Sequence, residues 1–140
     1  MAKIINLNEC VTFGVDMGTS LDASAGRCVT PDDGAWTAST NDSTVIFVNV
    51  SDVADGIPVR GEAGGETTPV VAAGEAVLVE ITSDDFSGTF ADLIVGDRVV
   101  LHTDGKYKEW SGTEYIVGSV LEKKTATAVI QIRTGVCGYE

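Results

Sequence analysis

Basic residues are scarce in this chain, and so are the residues that usually carry chemistry. Nine Lys and Arg stand against 21 Asp and Glu, for a formal net charge of −12. Phosphate backbones are gripped by Lys and Arg, so the charge argues against nucleic acid and against anionic membrane surfaces. There is one histidine, His102. As a general base it would need a nucleophile and an orienting acid, and its spacing matches no catalytic motif. Cys10, Cys28 and Cys137 are odd in number and form no C-x-x-C, which fits neither a disulfide framework nor a zinc knuckle. Reduced, mostly buried thiols in a protein made in a cytosol are the expectation. The nucleophile elbow, the dinucleotide fingerprint, the P-loop spacing and the calcium loop are all missing. The carboxylate pairs Asp32-Asp33 and Asp84-Asp85 are adjacent in sequence. Neighbours on a strand point to opposite faces, so neither pair makes a glycosidase dyad. No cofactor, no metal and no enzymatic activity are therefore expected.

Long apolar runs are lacking too. Met1 to Glu9 holds no apolar core of signal-peptide length, and no run reaches the ~20 residues of a membrane span. Nowhere does an i, i+3, i+4, i+7 pattern persist beyond two turns, which leaves little room for helix. Proline is sparse at 3 residues, whereas glycine is plentiful at 16. Abundant Gly among many Val, Ile and Thr points to short strands and tight turns.

The 140 residues suit one domain. Residues 1–9 read as an N-terminal arm or an edge strand, and residues 10–140 as a single β domain. Strands are predicted over Cys10–Met17, Trp36–Thr40, Thr44–Val50, Val70–Ala73 and Glu75–Thr82. The near-continuous apolarity of Thr44–Val50 implies cover on both faces. In Glu75–Thr82, Val77, Val79 and Ile81 face one way. Pro31-Asp32-Asp33-Gly34 reads as a turn, and Gly56–Pro69 as a surface loop or flap. Phe90–Val95 could be one helical turn or a strand.

The last third carries the clearest signal. Arg98–Thr103 and Lys106–Trp110 flank Asp104-Gly105, a pair suited to a type I′ turn with φ > 0 at both central positions. A second strand pair follows, Tyr115–Leu121 and Ala126–Arg133, with Ala128, Ile130 and Ile132 on one face. The expected fold is all-β: a single-domain, jelly-roll-like β-sandwich or small β-barrel with little helix.

The runs Val95-Gly96-Asp97-Arg98-Val99, Tyr115-Ile116-Val117-Gly118-Ser119-Val120-Leu121-Glu122 and Ala128-Val129-Ile130-Gln131-Ile132-Arg133 resemble the capsid decoration, or cement, proteins of tailed bacteriophages. Gly74–Val79 resembles the strand that precedes them there. The resemblance covers Val70 to Arg133, and the half up to Pro69 matches no pattern of that family. It implies a non-enzymatic virion protein on the outer surface of an icosahedral capsid, synthesised in the host cytoplasm. Its partners would be the major capsid protein and itself, as a homo-oligomer with a dimer favoured and a trimer next. The apolar segment Ile4, Ile5 and Leu7 is the first candidate contact, because a terminal strand is readily lent to a neighbour's sheet edge. Tyr107 and Trp110 on the aromatic hairpin are the second. Two other readings compete. One is a carbohydrate-binding β-sandwich module of a phage or bacterial structural protein, with Trp36 and Trp110 stacking on sugar rings. The other is a small β-barrel enzyme using His102 and a nearby Asp.

Overall fold

The computed structural model describes residues 2–14, 25–33, 35–50, 57–58, 67–68 and 70–136. They form β1 (Lys3–Ile4), β2 (Val11–Gly14), β3 (Cys28–Asp32), β4 (Ala35–Ala38), β5 (Val45–Asn49), β6 (Ile57–Pro58), β7 (Thr67–Thr68), β8 (Val70–Ala73), β9 (Val77–Ile81), β10 (Phe86–Ser87), β11 (Arg98–Leu101), β12 (Tyr107–Glu109), β13 (Gly118–Lys123), β14 (Ala128–Ile132) and β15 (Gly135–Val136). One sheet runs β1-β9-β14-β13-β11-β12-β10 and the other β2-β8-β5-β3-β4, with β15 on β5. Strands β6 and β7 pair with each other, within the stretch expected to be a loop or flap. Among the described residues no helix reaches seven residues. The protein is an all-β single domain, two curled sheets forming a half-barrel or sandwich.

Period-two alternation decides the core. Val77, Val79 and Ile81 of β9 and Ala128, Ile130 and Ile132 of β14 turn inward, joined by Val120, Val99 and Leu101. Ile46, Val48 and Cys28 meet them from the second sheet. Fully burying one such aliphatic side chain stabilises by about 1.5–3 kcal/mol. On the opposite face of the second sheet, Phe13, Trp36 and Phe47 form an aromatic cluster, with centroids 5.4 Å apart for Trp36–Phe47 and 5.5 Å for Phe13–Phe47. The expectation that Thr44–Val50 is covered on both faces holds only for its inward side: Ile46 and Val48 are buried, whereas Val45 and Phe47 are half-buried and Thr44 is exposed.

The two sheets are bonded together at one end of the sandwich. Tyr107 is fully buried, and its hydroxyl donates to the Gly26 carbonyl at 2.8 Å while the Cys28 thiol donates to it at 3.4 Å. Burial pushes the Tyr107 phenol well above its ordinary pKa. Arg27 Nε donates to Asp85 Oδ1 at 3.1 Å, and both side chains are largely buried. The other oxygen of Asp85 accepts from the Thr82 N–H and hydroxyl, capping the short 3-10 turn Ser83–Asp85. The Tyr107 and Arg27 contacts tie the start of β3 to the opposite sheet, and the Thr82 bonds fix Asp85 in place for it.

Several local expectations are modified. Pro31 lies in β3 rather than in the turn, opposite Trp36. A proline fits there because β5 pairs only with Cys28 and Val29, so the ladder on that side has already ended. The hairpin turns at Asp33, with φ 48°, and Gly34 lies outside the described residues. Asp104 and Gly105 both take positive φ, 60° and 69°, and Lys106 N donates to Thr103 O at 3.2 Å. The turn thus has the backbone of type I′, but Leu101 faces Tyr107, so the flanking strands are shorter than Arg98–Thr103 and Lys106–Trp110. β13 begins at Gly118 and runs to Lys123, with a bulge that leaves Leu121 as the extra residue. The Val95-Gly96-Asp97 run is a turn. Gly96 has φ 94°, and Asp97 Oδ2 accepts from Ile94 N at 3.0 Å.

Candidate functional site

The N-terminal segment supplies an outermost strand to each sheet. β1 pairs with β9, Lys3 opposite Glu80 and Ile4 opposite Val79. Ile5 N then donates to Leu78 O at 2.9 Å. Asn6 extends the ladder with its side chain: Nδ2 donates to Ala76 O at 2.8 Å, and Oδ1 accepts from Leu78 N at 2.9 Å. A 3-10 turn, Leu7–Glu9, carries the chain across to the second sheet, where β2 pairs with β8 from Val11–Ala73 to Gly14–Val70. Of the two readings of residues 1–9, the structure has an edge strand on this chain's own sheet.

The free sides of β1 and β2 present backbone groups that no described strand pairs. The segment also exposes apolar side chains: Ile5 at 46%, Leu7 at 38%, Val11 at 69% and Phe13 at 38%. β2 reads Val-Thr-Phe-Gly, with no charge and no proline to discourage strand addition. Cys10 in the connecting turn donates weakly to Asn6 O at 3.5 Å. Burial, and then the neighbouring Glu9 carboxylate, push its thiol pKa up, which makes it a poor nucleophile.

The sequence-predicted contact residues fall into three environments. Ile5 and Leu7 are exposed at the edge, whereas Ile4 is half-buried against the core. Tyr107 corrects an expectation: it is fully buried as an inter-sheet bond and offers no surface to a partner. A strand-borne aromatic reads the same from either face until the partner sheet is known. Trp110 is half-buried, with its Nε1 donating to Glu114 O at 3.2 Å and the Arg98 guanidinium 5.1 Å from its ring centroid. The Glu114 carboxyl below it is held down to about 2, first by the Ser111 hydroxyl and then by backbone N–H groups and Lys108. Trp36 is engaged by Phe13 and Phe47 and is not a free platform. His102 follows β11, with Thr103 Oγ1 3.1 Å from its Nδ1.

Sequence reasoning missed Val11 and Phe13, although their alternation was visible. It did not mark β2 as an outermost strand, which is a property of sheet order. It also missed Ile94, Val95 and Leu121, all exposed. The turn at Gly96 brings them near one another, since Gly96 N donates to Val120 O and Val120 N to Asp97 O, both at 2.9 Å. No protein-family model matches the chain, and no curated protein is significantly similar to it.

Proposed function

We propose that this protein is a non-enzymatic virion protein that binds the outside of an icosahedral phage head and cements neighbouring major capsid subunits as a homo-oligomer. One observation carries the reading: among the described strands β1 and β2 are each outermost in their sheet, and this segment exposes Ile5, Leu7, Val11 and Phe13. An open strand edge takes an extended segment from another chain by main-chain hydrogen bonding, while alternate side chains supply specificity. The resemblance of Val70–Arg133 to cement proteins supports the same reading. The net charge of −12 suits a basic rim on the shell. A standard stable interface buries about 1,600 Å² in total, so weak contacts from several linked copies are the natural way for a small protein to clamp a shell.

The test adds the protein to undecorated icosahedral phage heads assembled from a major capsid protein. Removing Met1–Leu7 would confound it, because Ala2 is buried in the core and Asn6 is bonded to β9. The double variant Ile5→Asp, Val11→Asp changes only exposed side chains. It is expected to keep the native melting temperature and to lose head occupancy and the heat resistance that decoration confers. Full occupancy by the variant rules out the N-terminal edge as the contact. If the unmodified protein leaves such heads bare, the cement reading itself is wrong.

A further inference from the structure

We propose that the groove beside Trp110 is a binding site for a short neutral saccharide, a second function independent of shell binding. The groove encloses about 310 Å³ where β10 runs parallel to β12, and its walls include Phe86, Asp92, Lys108, Glu109, Trp110 and Ser111. That volume is at the lower end of ligand clefts, which start near about 300 Å³, so a ligand of few rings fits it.

The wall of the groove is built ahead of any ligand. The indole of Trp110 is fixed by its bond to Glu114 O and by the Arg98 guanidinium. The turn that holds that carbonyl is organised around the Glu114 carboxylate. It accepts from Ser111 N at 3.1 Å, Thr113 N at 3.3 Å, Lys108 Nζ at 3.3 Å and the Ser111 hydroxyl. None of these bonds involves the inter-sheet core; their shared effect is to hold Trp110 and Ser111 in place. A wall ordered in advance reduces the entropy lost on binding.

The chemistry of the lining selects the ligand. Half-buried Trp110 supplies apolar ring surface, on the side away from the Arg98 guanidinium, while Phe86 is buried in the core behind the groove. Asp92 and Glu109 are exposed carboxylates that enter no hydrogen bond or ion pair among the described residues. Carboxylates accept from hydroxyls, and aromatic rings cover C–H faces. A pyranose offers both, an apolar face and a rim of hydroxyl donors. Acidic sugars are disfavoured, because two free carboxylates flank the site and the one ammonium on its wall, that of Lys108, is already paired with Glu114.

Trp36→Phe leaves Trp110 as the sole tryptophan and so as a fluorescent reporter. This variant is titrated with maltose, cellobiose, lactose and chitobiose, and with sialyllactose as the acidic arm. The unmodified protein is screened in parallel on a glycan array. A saturable change at millimolar concentration with at least one neutral sugar is expected. Asp92→Ala and Glu109→Gln, both on exposed side chains, should weaken it at least about tenfold, a difference of about 1.4 kcal/mol, without moving the melting temperature. Absence of saturable binding to any array or titrated sugar overturns the proposal. So does a preference for sialyllactose, or affinity unchanged in both carboxylate variants. Heads play no part in these measurements, so their outcome is separate from the shell reading.

Discussion

Gly105→Ala is the substitution most revealing of how the two sheets are joined. Gly105 combines φ 69° with a contact no side chain can share: an added Cβ would overlap the Cys28 carbonyl oxygen and lie 3.1 Å from Cys28 N and 3.3 Å from Arg27 Cβ. Positive φ alone costs an L-residue about 1–2 kcal/mol. Relieving the overlap moves the turn away from β3, which stretches Gly105 N to Ser39 O and Tyr107 Oη to Gly26 O, both now 2.8 Å. Each net hydrogen bond contributes about 1 kcal/mol, so the expected loss totals about 3–4 kcal/mol. Gly96→Ala is the internal control. Gly96 has φ 94° with nothing within 4 Å of an added Cβ, so it carries the conformational term alone. Its loss should be about 1 kcal/mol, the strain being partly offset by the reduced freedom of the unfolded chain. Urea unfolding of both variants, followed by far-UV circular dichroism, measures the difference. If Gly105→Ala lies within about 1 kcal/mol of Gly96→Ala, the close approach to β3 is not part of the native state.

Three further outcomes are expected. Arg27→Ala leaves the Asp85 carboxylate buried without its charge partner and should destabilise by about 3–5 kcal/mol in the same unfolding assay; a loss under about 1 kcal/mol would mean that solvent replaces the guanidinium. Tyr107→Phe removes the donor to the Gly26 carbonyl while keeping the ring, and about 1–3 kcal/mol should be lost, with near-wild-type stability contradicting the bond. Glu114 has a depressed folded pKa, so what its ionisation contributes is present above its ordinary value of 4.5 and disappears as pH falls through about 2. Its carboxyl carbon resonance should accordingly titrate near 2, and titration at the ordinary value would show that the Ser111–Glu114 turn is not held.

The expectations carried furthest where the physics is local. Val77, Val79 and Ile81 alternate with Leu78 and Glu80, and that period of two put the three on one face, which the structure buries. Asp104-Gly105 announced positive φ because few other pairs tolerate it. The scarcity of helix followed from the missing 3.6-residue repeat. Each of these depends on a few consecutive residues, whose conformational preferences the chain carries with it.

What depends on residues far apart in sequence was decided by tertiary structure. Pro31 and Tyr107 show the limit. The proline sits within a strand because β5 stops pairing two residues earlier. The tyrosine is buried because its hydroxyl meets Gly26 and Cys28, some eighty positions away. Nor does the alternation of Val11 and Phe13 say that β2 is an outermost strand. That follows only from the order β2-β8-β5-β3-β4, in which no other described strand lies on its far side. The groove at Trp110 likewise needs β10 laid parallel to β12, a pairing between segments about twenty residues apart. Local patterning announced strands such as Thr44–Val50, Glu75–Thr82 and Ala126–Arg133 with their alternating faces, but not β6, β7 or the Pro31–Asp32 end of β3, which lie where a loop and a turn were expected. The tertiary structure decided which edges remain open, which aromatics are sealed and which surfaces can meet a partner, because strand pairing is set by the summed packing of both sheets rather than by any one segment.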